Sequence, residues 1–110
     1  MTDQLFKAEY TDEALEQLYN LEDTEYEKIT KAIYIFEQVG TKYKNINDLG
    51  GGLFELKPDN VRAYFTYAKN KIIIIGLIVL KKSQKAPARY INQARQNIQK
   101  YLQENKELIQ

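Results

Sequence analysis

The spacing of apolar residues divides the chain into a helical first part and a strand-rich second part. Residues 4–10 alternate weakly between polar and apolar side chains, which predicts a short first strand. Apolar residues then recur every three or four positions, which predicts a short helix and a longer one. Thr11 or Asp12 is expected to cap the first helix. The apolar stripe of the first helix is Ala14, Leu15 and Leu18, and that of the second helix is Ile29, Ala32, Ile33, Phe36 and Val39.

The longer helix carries recognisable start and stop signals. Thr24 and Glu27 have the spacing of a capping box, which predicts that Thr24 is the N-cap. Gly40 is expected to end the helix. Residues 41–52 are polar and finish in three glycines, but they lack the preceding strand and following helix of a phosphate-binding loop. We therefore expect a flexible connection there.

From residue 53 the apolar period changes to two, as in strands. Residues 53–57, 61–68 and 72–80 predict a three-stranded meander, with a turn at residues 58–60. Gly76 indicates a bulge or a close backbone approach. Pro87 is expected at the first position of a last helix, whose apolar positions are Ile91, Ala94, Ile98, Tyr101 and Leu102.

The predicted order of elements is β-α-α-β-β-β-α. We expect a single α+β domain over residues 1–110, with a small twisted antiparallel sheet, two N-terminal helices and a C-terminal helix.

The composition excludes several classes of protein. The chain has no cysteine, so disulfides and thiolate metal sites are excluded, and no histidine, so the usual metal ligand and neutral-pH general base are missing. The apolar run 72–80 has nine residues, whereas a membrane-spanning helix needs about 20. The N-terminus does not resemble a signal peptide. We expect a cytoplasmic protein without metal or cofactor and without a membrane partner.

Charge is distributed unevenly along the chain. Residues 1–40 hold three lysines against ten acidic residues, a net charge of −7, whereas residues 41–110 hold thirteen basic against five acidic residues, a net charge of +8. This asymmetry indicates a nucleic-acid partner or an oppositely charged protein partner. The alternative is that the two halves neutralise each other within the fold.

Basic residues are expected to converge at one end of the sheet. Lys57 ends one strand, Arg62 begins the next, and Lys81 and Lys82 follow a strand that runs antiparallel to the second. Lys85 and Arg89 follow directly, at the start of the last helix. Such a cluster can hold a phosphodiester and stabilise charge that develops on phosphorus.

A ribonuclease without histidine is chemically feasible. A lysine crowded by other cations loses its proton more readily and can then deprotonate a ribose 2′-hydroxyl. Glu55 lies on the same strand face as Lys57 and is a second candidate base or an orienting partner. Tyr64 shares a strand face with Arg62 and is a candidate for stacking on a base. The alternative is that these cations are exposed and bind an acidic partner without catalysis.

Two local patterns resemble the RelE superfamily of bacterial toxins, most closely its HigB branch and the phage-derived relatives of that branch. Residues 52–57 (GLFELK), followed by Arg62 and an aromatic strand, are similar to a pair of strands in that superfamily. Residues 81–87 (KKSQKAP) are similar to a lysine-lysine-threonine-glutamine-lysine-threonine-proline signature, with Ser83 and Ala86 in place of the threonines.

The resemblance implies the toxin of a type II toxin–antitoxin pair, a metal-independent endoribonuclease that cuts mRNA on the ribosome and inhibits translation. It implies a HigA-like helix-turn-helix antitoxin as partner. By position, Lys57, Arg62, Lys81 and Lys82 match basic residues that bind or cleave RNA in relatives.

The chain also departs from these relatives. Glu55 and Leu53 stand where the RelE type has lysines, and the histidines of some HigB proteins are missing. The identity of the general base is therefore open between Lys57 and Lys81. Arg62 and Lys82 are the expected phosphate ligands, and the expected RNA contacts are Glu55, Tyr64, Lys85 and Arg89. The alternative function is a non-catalytic interaction protein of the same fold, either a ParE-like DNA gyrase inhibitor or a phage accessory binding module.

Overall fold

A computed structural model describes residues 4–81 and 85–110 of the chain. Within these ranges it contains five strands and three α-helices, joined by short turns and 3₁₀ segments. The elements in chain order are β1 (Lys7–Tyr10), α1 (Asp12–Tyr19), α2 (Asp23–Val39), β2 (Ile46–Gly50), β3 (Leu53–Leu56), β4 (Val61–Ala68), β5 (Ile72–Leu80) and α3 (Ala88–Glu104).

The strands form one sheet in the order β1-β5-β4-β3-β2. Strands β3 to β5 are antiparallel neighbours, as the predicted meander requires, and β2 adds a fourth antiparallel strand, whereas β1 lies parallel to β5 at the edge. The helices α1 and α2 form the long connection between the edge strand β1 and the rest of the sheet. The α+β class is confirmed, and the parallel edge strand corrects the expectation of a fully antiparallel sheet.

The sheet is covered by helices on both faces. One core lies between the sheet and the helices α1 and α2, and its strand residues include Leu56, Ala63, Phe65 and Ile75. A second core lies between the sheet and α3, and its strand residues are Leu53, Tyr64, Ala68, Ile74 and Leu77. Because side chains alternate across a strand, the residues at odd positions of β3 face α3.

The prediction of a flexible connection at residues 41–52 is wrong. Residues Ile46–Gly50 form strand β2, which pairs with β3 through a hairpin at Gly51 and Gly52. Polar residues such as Asn47 and Asp48 have low β propensity, so the pattern concealed this strand. The three glycines have φ angles of 88°, 60° and 83°, the left-handed region that a tight hairpin turn requires.

The predicted helix ends are partly right. Thr11 caps α1, since its hydroxyl accepts a hydrogen bond from the Ala14 amide at 3.1 Å, and Gly40 follows α2 with a φ of 61°. The capping box at Thr24 is wrong because α2 already begins at Asp23, after Glu22, and has no side-chain cap. Pro87 precedes the first residue of α3 instead of occupying it.

Gly76 combines the two features that the sequence indicated. Tyr64 pairs with Leu77 and Phe65 pairs with Ile75, so Gly76 is the extra residue of a β-bulge. A β-carbon placed there would lie 2.6 Å from the Ile98 side chain, so α3 packs directly on this part of β5.

No helix in the described ranges is long and apolar enough to span a membrane.

Candidate functional site

Three of the predicted site residues meet at one end of the sheet. Glu55 lies near the end of β3, Arg62 near the start of β4 and Lys81 directly after β5. The pairing of β4 with β5 places Val61 beside Leu80, and the Lys81 amide donates to the Asn60 carbonyl at 2.8 Å. The antiparallel meander therefore brings Arg62 and Lys81 together, as predicted.

These three side chains form a buried ionic cluster, to which we refer as the Glu55 cluster. Arg62 Nε lies 3.8 Å and Lys81 Nζ lies 3.5 Å from the same carboxylate oxygen, Glu55 Oε2. Glu55 is completely buried, and Arg62 and Lys81 are each 5% exposed. We expected Lys81 to be crowded by cations alone. That expectation is wrong, because a carboxylate lies between the two basic side chains.

Arg62 is held from its other side by the backbone. Its Nη1 donates to the carbonyl oxygens of Val61, at 3.0 Å, and of Asp59. Asp59 adopts a φ of 56° in the turn between β3 and β4, which turns its carbonyl toward the guanidinium. The guanidinium is thus fixed in place by its own turn before any ligand arrives.

Tyr64 lies opposite Glu55 in the strand register and is completely buried. Its ring packs edge-on against Tyr90 of α3, with 6.4 Å between the ring centroids. Burial, together with the charge of Glu55, raises the pKa of the Tyr64 hydroxyl above its ordinary value. In this structure neither Tyr64 nor Glu55 offers surface to an RNA base, because α3 covers the face of the sheet on which both residues lie.

The other described residues of the predicted site are more accessible than the Glu55 cluster. Lys57 follows β3 and is half-buried, and its amide donates to the Asn45 carbonyl at 2.8 Å. Lys85 and Arg89 are exposed, and the Arg89 guanidinium lies 4.9 Å from the centre of the Tyr90 ring. Lys82 lies outside the described residues.

The sequence did not indicate one contact that shapes the neighbouring surface. Arg95 of α3 donates to the carbonyls of Gly50 and Gly51 at 2.9 and 3.1 Å and so fixes the β2–β3 hairpin. The hairpin, α3 and the C-terminal residues enclose a groove of about 420 Å³. No sequence pattern connects Arg95 with a hairpin 44 residues earlier.

Metal-ligating side chains are not grouped in the part of the chain that the structure describes. No three carboxylate, histidine or cysteine residues there are placed to hold a metal ion.

Comparison with known proteins connects this geometry with a family and a fold. The profile of the family described as "Phage derived protein Gp49-like" matches residues 16–99. A chain of the crystal structure of the archaeal RelE–RelB complex from Pyrococcus horikoshii OT3 has a similar fold, with a TM-score of 0.57 and 18% identity. The match covers 74% of this chain and 99% of that chain. No curated protein matches the sequence.

Proposed function

This chain belongs to the phage-derived, Gp49-like protein family and has a RelE-like fold, and on that premise we propose that it is the toxin of a type II toxin–antitoxin pair. Its proposed activity is metal-independent cleavage of mRNA on the ribosome, which stops translation in the cytoplasm. Its proposed partner is a HigA-like helix-turn-helix antitoxin, as in the HigB branch.

The convergence of basic residues at one end of the sheet is the observation that carries this proposal. Arg62 and Lys81 come from neighbouring strands and lie together, with Lys57 at the end of the adjacent strand. Lys85 and Arg89 are exposed where α3 begins. Cations mounted on rigid strand ends and a helix start suit a phosphate backbone, because their positions are set before the ligand arrives.

The proposed reaction is an internal transfer at phosphorus. The ribose 2′-oxygen loses its proton and forms a bond to the adjacent phosphorus, and the bond from phosphorus to the 5′-oxygen breaks. The products are a 2′,3′-cyclic phosphate and a 5′-hydroxyl, with one proton removed at the 2′-oxygen and one delivered to the 5′-oxygen. Lys57 or Lys81 is the proposed proton-transfer group, and Arg62 and Lys82 are the proposed ligands of the phosphate. The ribosome would supply the alignment of the RNA.

Primer extension on an mRNA under translation in a purified system tests this function. We expect cuts when ribosomes and the protein are both present and none on the same RNA without ribosomes. A Lys57→Ala, Lys82→Ala double variant should cut at least about 100-fold more slowly, since loss of a charge-stabilising group costs that much. Lys69→Ala is the matched control, because Lys69 is exposed at the opposite end of β4. Cleavage without ribosomes, or no cleavage at all, would refute the ribosome-dependent activity.

A second candidate function follows from the burial of the Glu55 cluster. Arg62 and Lys81 expose only 5% of their surface and both lie beside a carboxylate, which favours a structural role for these two cations. The protein would then bind a partner without cutting RNA, as a gyrase inhibitor or a phage accessory module. A DNA supercoiling assay separates the two functions, since inhibition of gyrase by a protein that leaves translated mRNA intact supports the second.

A further inference from the structure

The carboxylate of the Glu55 cluster has two cations beside it but makes no hydrogen bond of ordinary geometry within the described residues. Within the described residues, neither oxygen of Glu55 has a hydrogen-bond partner, and Arg62 Nε has none either. The Tyr64 hydroxyl lies close enough to the Glu55 carboxylate for that carboxylate to raise its pKa, by its charge and by a side-chain contact, but the two groups do not reach the geometry of an ordinary hydrogen bond. Buried polar groups are nearly always hydrogen-bonded, so a group of such atoms in one place calls for an explanation.

The Glu55 carboxylate contacts the two cations through only one of its oxygens. Arg62 and Lys81 both approach Oε2, at 3.8 and 3.5 Å, whereas no cation among the described residues lies within salt-bridge distance of Oε1. A guanidinium normally binds an oxyanion with two parallel hydrogen bonds at about 2.8 Å. In this cluster the attraction between charges is present, but the close contacts of a well-fitted oxyanion ligand are not.

A phosphate group matches these atoms better than the carboxylate does. Its tetrahedral oxygens spread further than the two oxygens of a carboxylate and can accept from Arg62 Nε and the Tyr64 hydroxyl as well as from Lys81. Arg62 is already held by the carbonyls of Val61 and Asp59, so its Nε faces the cluster without further rearrangement. Each cation retains some exposed surface, and both cations lie at or near strand ends, Arg62 at the start of β4 and Lys81 directly after β5.

We propose that the Glu55 carboxylate is an internal substitute for a phosphate group, and that it occupies and closes an anion site formed by Arg62, Lys81 and Tyr64. A phosphate enters this site by displacing the carboxylate from between the two cations. The proposal deepens the proposed function, on which its biological meaning rests, because it makes Glu55 the positioning residue that keeps the phosphate ligands in place and limits their access to RNA.

Neutralising Glu55 while keeping its shape tests the proposal directly. In Glu55→Gln the negative charge that competes with phosphate is removed, and the space stays filled. We expect inorganic phosphate to bind this variant at least about tenfold more tightly than the parent, because a like charge within about 4 Å of the site has been removed. Thermal unfolding is followed in phosphate and in sodium chloride of equal ionic strength, since a ligand of the folded state raises the unfolding temperature.

Two further variants and a second ligand show whether the effect of phosphate arises at this site. Glu55→Asp withdraws the charge by one methylene group and should respond to phosphate less than Glu55→Gln but more than the parent. The double variant Glu55→Gln, Arg62→Gln lacks the guanidinium and should lose the response. A ribodinucleotide in place of inorganic phosphate identifies the source of the anion, because stabilisation by both ligands supports an RNA backbone and stabilisation by inorganic phosphate alone supports a free phosphate.

The proposal is overturned if neither single variant unfolds at a higher temperature in phosphate than in chloride. The proposal is also overturned if the Glu55→Gln chain stays unfolded in both salts and the folded Glu55→Asp chain has the same unfolding temperature in phosphate as in chloride. These measurements need neither ribosomes nor antitoxin. Failure of the anion site is therefore distinguishable from failure of the toxin function, which is judged by cleavage of mRNA.

Discussion

Replacing Gly76 by alanine tests the packing of α3 against the bulge in β5. Gly76 is buried, and its carbonyl accepts a hydrogen bond from Asn97 at 2.8 Å. A β-carbon at this position would lie 2.6 Å from Cγ1 of Ile98 and 2.9 Å from the carbonyl oxygen of Ala94. Both distances are shorter than those real β-carbons adopt, so the substitution must displace α3 or distort β5.

The expected cost follows from the nature of these two contacts. Adding a methyl group to a well-packed core destabilises a protein by about 1–3 kcal/mol. The side chain of Ile98 can change its rotamer, whereas the Ala94 carbonyl belongs to the backbone of α3 and moves only with the helix. We therefore expect the upper half of that range. The melting temperature should fall by roughly 4 °C for each kcal/mol in a domain of this size.

Urea unfolding of Gly76→Ala, followed by circular dichroism, measures the free energy of unfolding. A double-mutant cycle with Ile98→Ala locates the strain. Ile98→Ala alone should cost about 2–5 kcal/mol, because it empties a buried position. Gly76→Ala should then cost less in the Ile98→Ala background, since one of the two close contacts is gone. A Gly76→Ala protein at least as stable as the parent would refute the close packing of α3 against the bulge.

Two further predictions concern pH and the sheet edge. Burial raises the pKa of Tyr10 to about 12, and burial with a hydrogen bond to Glu9 raises that of Tyr101 to about 12. The unfolded chain loses these protons near pH 10, so their stabilising effect is complete below about pH 10 and is lost as the pH rises toward 12. Urea unfolding at pH 9 and 11 should show this loss, and Tyr101→Phe should reduce it; equal stability at both values contradicts the prediction. The Glu37 carboxylate accepts a hydrogen bond from the Ala8 amide of the edge strand β1 at 2.8 Å. Glu37→Ala should therefore lower the free energy of unfolding by about 0.5–1.5 kcal/mol and make this edge prone to aggregation. Unchanged stability and solubility would show that the bond is unimportant.

Local patterns were sufficient where structure depends on neighbouring residues. Thr11 caps α1 because its hydroxyl needs only an amide three residues later. The meander from Leu53 to Leu80 was recognisable because strand alternation and turn residues are properties of short segments. The same local logic failed for β2, where the pairing with β3 forms a strand from residues that have little preference for one.

The sequence by itself determined that Arg62 and Lys81 would meet, since two antiparallel strands joined by a short turn bring their opposite ends together. It also placed Glu55 on the face that bears Lys57. Only the tertiary structure decided that this face is covered by α3, so that Glu55 and Tyr64 are buried instead of exposed. A charged residue on an alternating strand normally lies at the surface, because burial of a carboxylate requires cations from elsewhere in the chain. Those cations come from two other segments, and their meeting with Glu55 is a property of the folded sheet that no short stretch of sequence contains.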